Sequence, residues 1–167
     1  VCYQLDIADE RGMPHARCPR DGRVHLHLGE GVDRFSRHEF AMAEYVGYNR
    51  PGLVAVNTLA LGTLDLGRMA AAGGGVVWSP RNGIHFYRAT ADVLTARNLG
   101  VPVALAPDWS ISGGVNLLSE LRCADDLNRE FFGGALSDRE LVTMATAVPA
   151  TMVGLGDDGQ RALGRLA

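Results

Sequence analysis

Residues 23–31 read R-V-H-L-H-L-G-E-G, and this stretch decides how the rest of the chain is interpreted. Two histidines alternate with apolar residues, which is typical of a β-strand, because side chains two positions apart share a face. His25 and His27 therefore point to one side of the predicted strand, and the apolar residues between them point to the other. Glu30 follows where the strand ends. Taken alone, the stretch indicates only a strand with one polar face, since short histidine motifs recur by chance.

The apolar run at this position is the first of four. They start at residues 24, 53, 75 and 101, so that successive starts lie 22 to 29 residues apart. This spacing is usual for one strand followed by one helix. The four predicted strands are 24–28, 53–60, 75–79 and 101–106. Runs that are apolar throughout, such as V-P-V-A-L-A at 101–106, favour a parallel sheet covered on both faces.

Helical patterns fill the intervals between these runs. Ser36 and Glu39 are spaced as a capping box that opens the first helix, and Ser137 and Glu140 are spaced as a second one near the end of the chain. The predicted helices span 33–48, 64–72, 90–99 and 116–132, with a last helix from residue 137. The class is therefore α/β with right-handed crossovers, as a barrel or an open doubly wound sheet. We interpret 1–22 as an irregular N-terminal segment and 23–167 as one domain ending in C-terminal helices.

Composition narrows the function classes. The chain has 167 residues, is 47% hydrophobic and carries a net charge of −3, which describes one soluble globular unit. It contains no basic run, so we expect no nucleic-acid partner. No apolar run reaches the roughly 18 residues of a membrane helix. Its three cysteines are too scattered for a disulfide framework, which favours a reduced, cytoplasmic protein.

Polar side chains follow each predicted strand at its carboxyl end, where parallel α/β folds collect their chemistry. The residues at the four strand exits are His27 with Glu30, Asn57, Arg81 with Asn82, and Asp108 with Trp109. One such exit would be unremarkable. Four of them in register predict a functional site on one rim of the sheet.

Several motifs at these exits together resemble the amidohydrolase superfamily, and in particular its metal-dependent aminohydrolases and chlorohydrolases. H-L-G-E at 27–30 is similar to the histidine and glutamate of the fifth barrel strand in that branch. The other matching segments are V-V-W-S-P-R-N-G at 76–83, V-P-V-A-L-A-P-D-W-S at 101–110 and the ending at 136–155. The resemblance implies the C-terminal half, about strands five to eight, of a (β/α)₈ TIM barrel.

The resemblance also implies a role for each rim residue. His27 and Asp108 would bind a divalent metal, zinc or iron, with His25 as a further candidate ligand. Glu30 and Asp108 would carry protons during hydrolysis of a carbon–nitrogen bond in a small-molecule substrate. The candidate substrate contacts are Asn57, Arg81, Asn82 and Trp109.

The sequence departs from the family pattern in three places. The family's Ser-Pro-Arg-Ser-Asn becomes S-P-R-N-G at 79–83, so that a substrate-contacting amide has shifted to Asn82 or been lost. Asn57 stands where the family usually has a sixth-strand histidine, and the first-strand His-x-His is missing from the chain. We therefore expect an incomplete site that binds metal weakly or not at all, and a chain that needs the missing N-terminal barrel half or self-associates. Two alternatives stay open: a degenerate, non-catalytic member that binds a ligand or a partner chain, and an open sheet whose polar rim is coincidental.

Overall fold

A computed structural model describes residues 1–19 and 21–155 of the chain. These residues form one parallel sheet of five strands in the order β1-β2-β3-β4-β5. The strands are β1 Cys2–Gln4, β2 Val24–Leu28, β3 Leu53–Asn57, β4 Gly75–Trp78 and β5 Val103–Leu105. The end of the predicted domain, residues 156–167, lies outside the described part of the chain.

Helices connect the strands and close the chain. They are α1 Glu39–Tyr45 (after a 3₁₀ turn at Ser36–His38), α2 Thr63–Ala72, α3 Pro80–Tyr87, α4 Val93–Asn98, α5 Leu117–Glu130, α6 Asp138–Ala145 and α7 Ala147–Met152. Sequential strands are neighbours throughout the described sheet. Since each right-handed crossover advances one strand in the same direction, the connecting helices share one face, as in a barrel and unlike a doubly wound sheet. The sheet is an arc of a barrel wall, and the predicted fold class is confirmed.

The two faces of the sheet differ as the alternation in β2 predicts. Val24, Leu26 and Leu28 are fully buried in the core that the sheet forms with the helices. His25 and His27 line the opposite, inner face together with residues of β3 to β5. Helix α7 packs on part of this inner face, where Met152 contacts the cluster of Val54 and Ala104. No helix in the described ranges is both long and apolar enough to cross a membrane.

The structure corrects several local predictions. Cys2–Gln4 is not irregular but forms β1, which pairs with β2 through a register that places Tyr3 opposite His25. The Ser36–Glu39 capping box does not form, because the Glu39 carboxylate accepts the Gly29 N–H instead, at 2.6 Å. Helix α3, which was not predicted, starts with proline directly after β4. The Ser137–Glu140 capping box is confirmed.

Two of the cysteines are also paired, contrary to the expectation of reduced thiols. Cys2 of β1 forms a disulfide with Cys18, with the Cα atoms 5.7 Å apart and a sequence separation of 16. Cys123 is free. The disulfide closes the N-terminal segment onto the edge of the sheet, so that β1 is held by a covalent bond as well as by its short ladder to β2.

We predict that breaking this bond destabilises the fold. A disulfide that closes a loop of this length stabilises a protein by about 3 kcal/mol, chiefly by restricting the unfolded chain. The double substitution Cys2→Ser and Cys18→Ser should therefore lower the melting temperature in a thermal unfolding experiment, and a thiol reductant should do the same to the unsubstituted chain. Cys123→Ser is the matched control and should change little. A melting temperature insensitive to reductant would contradict the prediction.

Candidate active site

The centre of the candidate site is the imidazole of His27, near the carboxyl end of β2. The side chain is 6% exposed and lies between two carboxylates. His27 Nδ1 is 3.2 Å from Glu30 Oε2, and Nε2 is 3.3 Å from Asp108 Oδ1. Residues from the exits of β2 and β5 thus meet at one rim, as the sequence predicts.

A carboxamide holds the second oxygen of each carboxylate. Asn57, at the end of β3, donates from Nδ2 to Asp108 Oδ2 at 2.9 Å. Asn82, in the first turn of α3, donates from Nδ2 to Glu30 Oε1 at 3.0 Å. Each carboxylate therefore has one oxygen fixed by an amide and turns the other toward His27.

Backbone conformation at the strand exits creates this geometry. Gly29 has φ +66°, which bends the chain after β2 and brings Glu30 back to His27, three residues earlier. At the end of β3, Asn57 and Thr58 have φ values of +74° and +47°. Such conformations cost about 1–3 kcal/mol each for residues other than glycine and cluster at functional sites. The strain lies where the Asn57 amide must reach Asp108.

The charges of the cluster shift its pKa values. Burial lowers the pKa of His27, but the hydrogen bond to Asp108 and the charges of Asp108 and Glu30 outweigh it, so the pKa is raised above the ordinary histidine value. Burial raises the pKa of Asp108, but the hydrogen bonds from His27 and Asn57 outweigh it, and the net shift is downward. The cluster thus stabilises an ionised carboxylate beside a positive charge, which a proton or a metal cation can supply.

Two aromatic side chains flank the His27 ring edge-on. The Tyr3 ring centroid lies 5.9 Å away and its hydroxyl is 3.3 Å from His27 Nε2. Trp109, which is 49% exposed, lies 6.3 Å away on the β5 exit. Burial, followed by the charges of Asp108 and Glu30, raises the pKa of Tyr3, so the phenol stays protonated. Sequence reasoning missed Tyr3, because a three-residue strand carries too little periodicity to be recognised.

Not every predicted site residue joins the cluster. His25 lies on the same face as His27, but its Nε2 has no hydrogen-bond partner among the described residues, and it stands outside the group of metal-competent atoms. The Arg81 side chain is exposed. Asn82 is fully buried and both polar atoms of its amide are paired, so it does not face the cavity as a substrate contact.

A cavity of about 770 Å³ opens beside the cluster. Tyr3, His27 and Glu30 form the part of its wall nearest the site. A second, smaller cavity of about 290 Å³ runs along the inner face of the sheet between His25 and Asp108. Both volumes are of the order that small-molecule sites have. The candidate site is therefore accessible to a small ligand from the rim.

The cluster fits a divalent metal. His27, Glu30 and Asp108 each offer one ligand atom, and these atoms all lie within 4.8 Å of one another. An imidazole nitrogen with carboxylate oxygens is a donor set that zinc and iron accept. The structure thus supplies Glu30, rather than His25, as the third group near the two predicted ligands.

Neither a protein-family model nor a curated protein matches the sequence. Solved structures do match the fold. The zinc complex of the atrazine chlorohydrolase TrzN from Arthrobacter aurescens aligns with a TM-score of 0.71 and 23% identity over 82% of this chain. An adenosine deaminase from Xanthomonas campestris with bound zinc gives 0.73 and 23% over 81%, and the guanine deaminase of E. coli gives 0.74 and 20% over 82%.

The alignments cover only part of the matched proteins. This chain spans 33% of the chlorohydrolase and of the adenosine deaminase, and 34% of the guanine deaminase. The chain therefore has the fold of about a third of these enzymes, consistent with a partial barrel. The resemblance in fold that the strand motifs predict is confirmed.

Proposed function

We propose that this chain is the C-terminal part of a metal-dependent hydrolase of the amidohydrolase superfamily, which acts on a non-peptide carbon–nitrogen bond of a small molecule. The observation that carries the proposal is His27 held between Glu30 and Asp108 at the carboxyl rim of a barrel arc. The matched structures, a chlorohydrolase and two deaminases, support the reaction class. A cytoplasmic location stays a prediction, which the Cys2–Cys18 bond does not favour.

Each residue of the cluster has a role in this proposal. His27 Nε2 and Asp108 would hold zinc or iron, and the bound metal would acidify a water molecule and polarise the bond under attack. Glu30 lies between the cluster and the larger cavity, where its carboxylate can pass a proton to a leaving nitrogen. Trp109 offers an exposed ring to a planar substrate, and Arg81 an exposed positive charge.

Asn57 favours a second candidate, a non-catalytic member that binds a ligand or a partner. The side chain is 1% exposed and its amide nitrogen is committed to Asp108, while Oδ1 has no partner among the described residues. An amide cannot transfer protons at neutral pH as a histidine can. Both candidates allow a ligand to bind in the cavity. Only the hydrolase would convert that ligand and release a product, so turnover separates the two.

The experiment that separates them is an assay of the completed barrel. The chain should be combined with a segment that supplies the first-strand His-x-His, loaded with Zn²⁺, and tested for ammonia release from amino-substituted nitrogen heterocycles. The hydrolase proposal expects turnover that a chelator removes. Stable binding of the heterocycles without product would favour the non-catalytic candidate, and absence of both would contradict the site assignment.

We also predict that the chain self-associates when the rest of the barrel is absent. Strands β1 and β5 are the edges of the described sheet and leave backbone groups unpaired. Helix α7 covers only part of the apolar inner face. Sedimentation velocity should show dimers or larger species, and addition of the complementary segment should reduce them. A stable monomer with a cooperative melt would contradict this prediction.

A further inference from the structure

Both polar atoms of the Asn82 amide form hydrogen bonds, whereas the Asn57 amide has only one paired among the described residues. Asn82 is fully buried in the first turn of α3, and its two polar atoms reach side chains from two other strand exits. Nδ2 donates to Glu30 Oε1 at 3.0 Å, and Oδ1 accepts from the Ser112 hydroxyl at 2.5 Å. The Glu30 carboxylate fixes the orientation of the amide, because it only accepts hydrogen bonds and the flipped amide would place an oxygen against it. In this orientation the Ser112 hydroxyl donates to Oδ1.

A second buried group lies behind this contact. Glu120 of α5 is fully buried, and its carboxylate accepts the backbone N–H of Arg81 at 3.3 Å and that of Gly114. It therefore ties the first turn of α3 to the loop that carries Ser112. The backbone of Gly114 passes close to helix α5, since a Cβ at this position would overlap Ser119 Oγ and lie 2.9 Å from Glu120 Oε1. Glu120 thus holds both the helix turn that carries Asn82 and the loop that carries Ser112.

We propose that Asn82 is a positioning residue, which holds Glu30 so that its Oε2 stays on His27 Nδ1. The inference rests on the proposed function in taking His27 as a metal ligand. Glu30 lies 3.2 Å from Nδ1, so a carboxylate held there orients the imidazole ring and keeps Nε2 turned toward Asp108, where the proposed metal would bind. Asn82 suits this role because an amide donor fixes one carboxylate oxygen without adding a positive charge that would compete with His27.

Asn128 shows what a purely structural buried asparagine looks like in the same chain. It is 4% exposed, and its amide pairs with the backbone N–H and C=O of Leu136, at 2.9 and 2.7 Å. Neither contact reaches the candidate site. Asn128→Ala therefore matches Asn82→Ala in residue type, burial and number of hydrogen bonds lost, and it serves as the control for damage to the fold.

The first measurement uses the chain without metal. A Glu30 carboxylate held 3.2 Å from His27 Nδ1 should slow the exchange of a proton on that nitrogen and give a downfield Nδ1–H resonance in ¹⁵N-edited NMR spectra at fixed pH. We expect this resonance in the unsubstituted chain and in Asn128→Ala, and its loss in Asn82→Ala. Its absence from the unsubstituted chain, or its survival in Asn82→Ala, would overturn the inference.

The second measurement is the dissociation constant of Zn²⁺ by calorimetric titration. Loss of a group that orients a metal-binding histidine typically weakens metal binding by about 10- to 100-fold, which we expect for Asn82→Ala. Asn128→Ala should change the dissociation constant by less than about 2-fold, because Asn128 shares no contact with the candidate site and distant substitutions act independently. If Zn²⁺ does not bind the unsubstituted chain at all, as the expected incomplete site allows, the ring-proton measurement decides the role of Asn82 by itself.

A double-substitution cycle tests whether Asn82 acts through Glu30. In a chain that already carries Glu30→Ala, adding Asn82→Ala should cost no further Zn²⁺ affinity, because the carboxylate that Asn82 holds is gone. An equal loss in both backgrounds would show that Asn82 supports only the fold and would overturn the inference. Ser112→Ala should give a smaller loss than Asn82→Ala, since it frees the amide without removing it.

Discussion

Replacing His27 with alanine should abolish binding of a divalent metal by this protein. His27 supplies the nitrogen ligand between Glu30 and Asp108, and the remaining carboxylates would face each other without a cation or an imidazolium. Metal affinity depends on several ligands held together. Removing a residue that only hydrogen-bonds to a ligand weakens metal binding by about 10- to 100-fold, and removing the ligand itself should weaken it more. We therefore expect a loss of more than about 100-fold in Zn²⁺ affinity.

Calorimetric titration with Zn²⁺ would measure this loss. His85 is exposed at the far end of α3, so His85→Ala is a matched control that removes a histidine and leaves the cluster intact. We expect the unsubstituted chain to bind Zn²⁺ weakly and to lose it on dialysis, because the first-strand His-x-His is missing. Equal Zn²⁺ binding by the unsubstituted chain and by His27→Ala would exclude His27 as a ligand.

Glu30→Gln should have the second large effect, on turnover by the completed barrel. The substitution keeps the size of the side chain and removes the group that gains and loses a proton. General acid–base catalysis contributes about 10²- to 10⁴-fold, so kcat should fall by that factor while most of the metal is retained. Steady-state ammonia release, with metal content measured on the same samples, would test this.

Glu130→Gln is the control for this substitution, because Glu130 is exposed at the end of α5 and remote from the cluster. A completed enzyme in which Glu30→Gln turns over at the original rate would exclude Glu30 as the proton carrier. Loss of metal as complete as that in His27→Ala would instead make Glu30 a direct ligand. The two substitutions together therefore separate proton transfer from metal binding.

The sequence by itself determined four of the five strands in the described residues, β2 to β5, and the residues of the rim. The alternation around His25 and His27 fixed which side chains enter the core, because the period of a strand is local. Strand exits at Glu30, Asn57 and Asp108 predicted a common rim, since parallel strands end on the same side. The structure brings His27, Glu30, Asn57 and Asp108 together at that rim, as this reasoning predicted.

The tertiary structure decided how those pieces meet. The consecutive strand order that makes the sheet a barrel arc depends on pairings between distant segments, and the sequence left a doubly wound sheet open. Strand β1 and the Cys2–Cys18 bond were invisible to periodicity, because three residues do not define a period. The contact of Asn82 with Glu30 joins residues 52 positions apart, and no local pattern encodes it. Local patterns fix which face a side chain takes, whereas only packing of the whole chain fixes which distant side chain it meets.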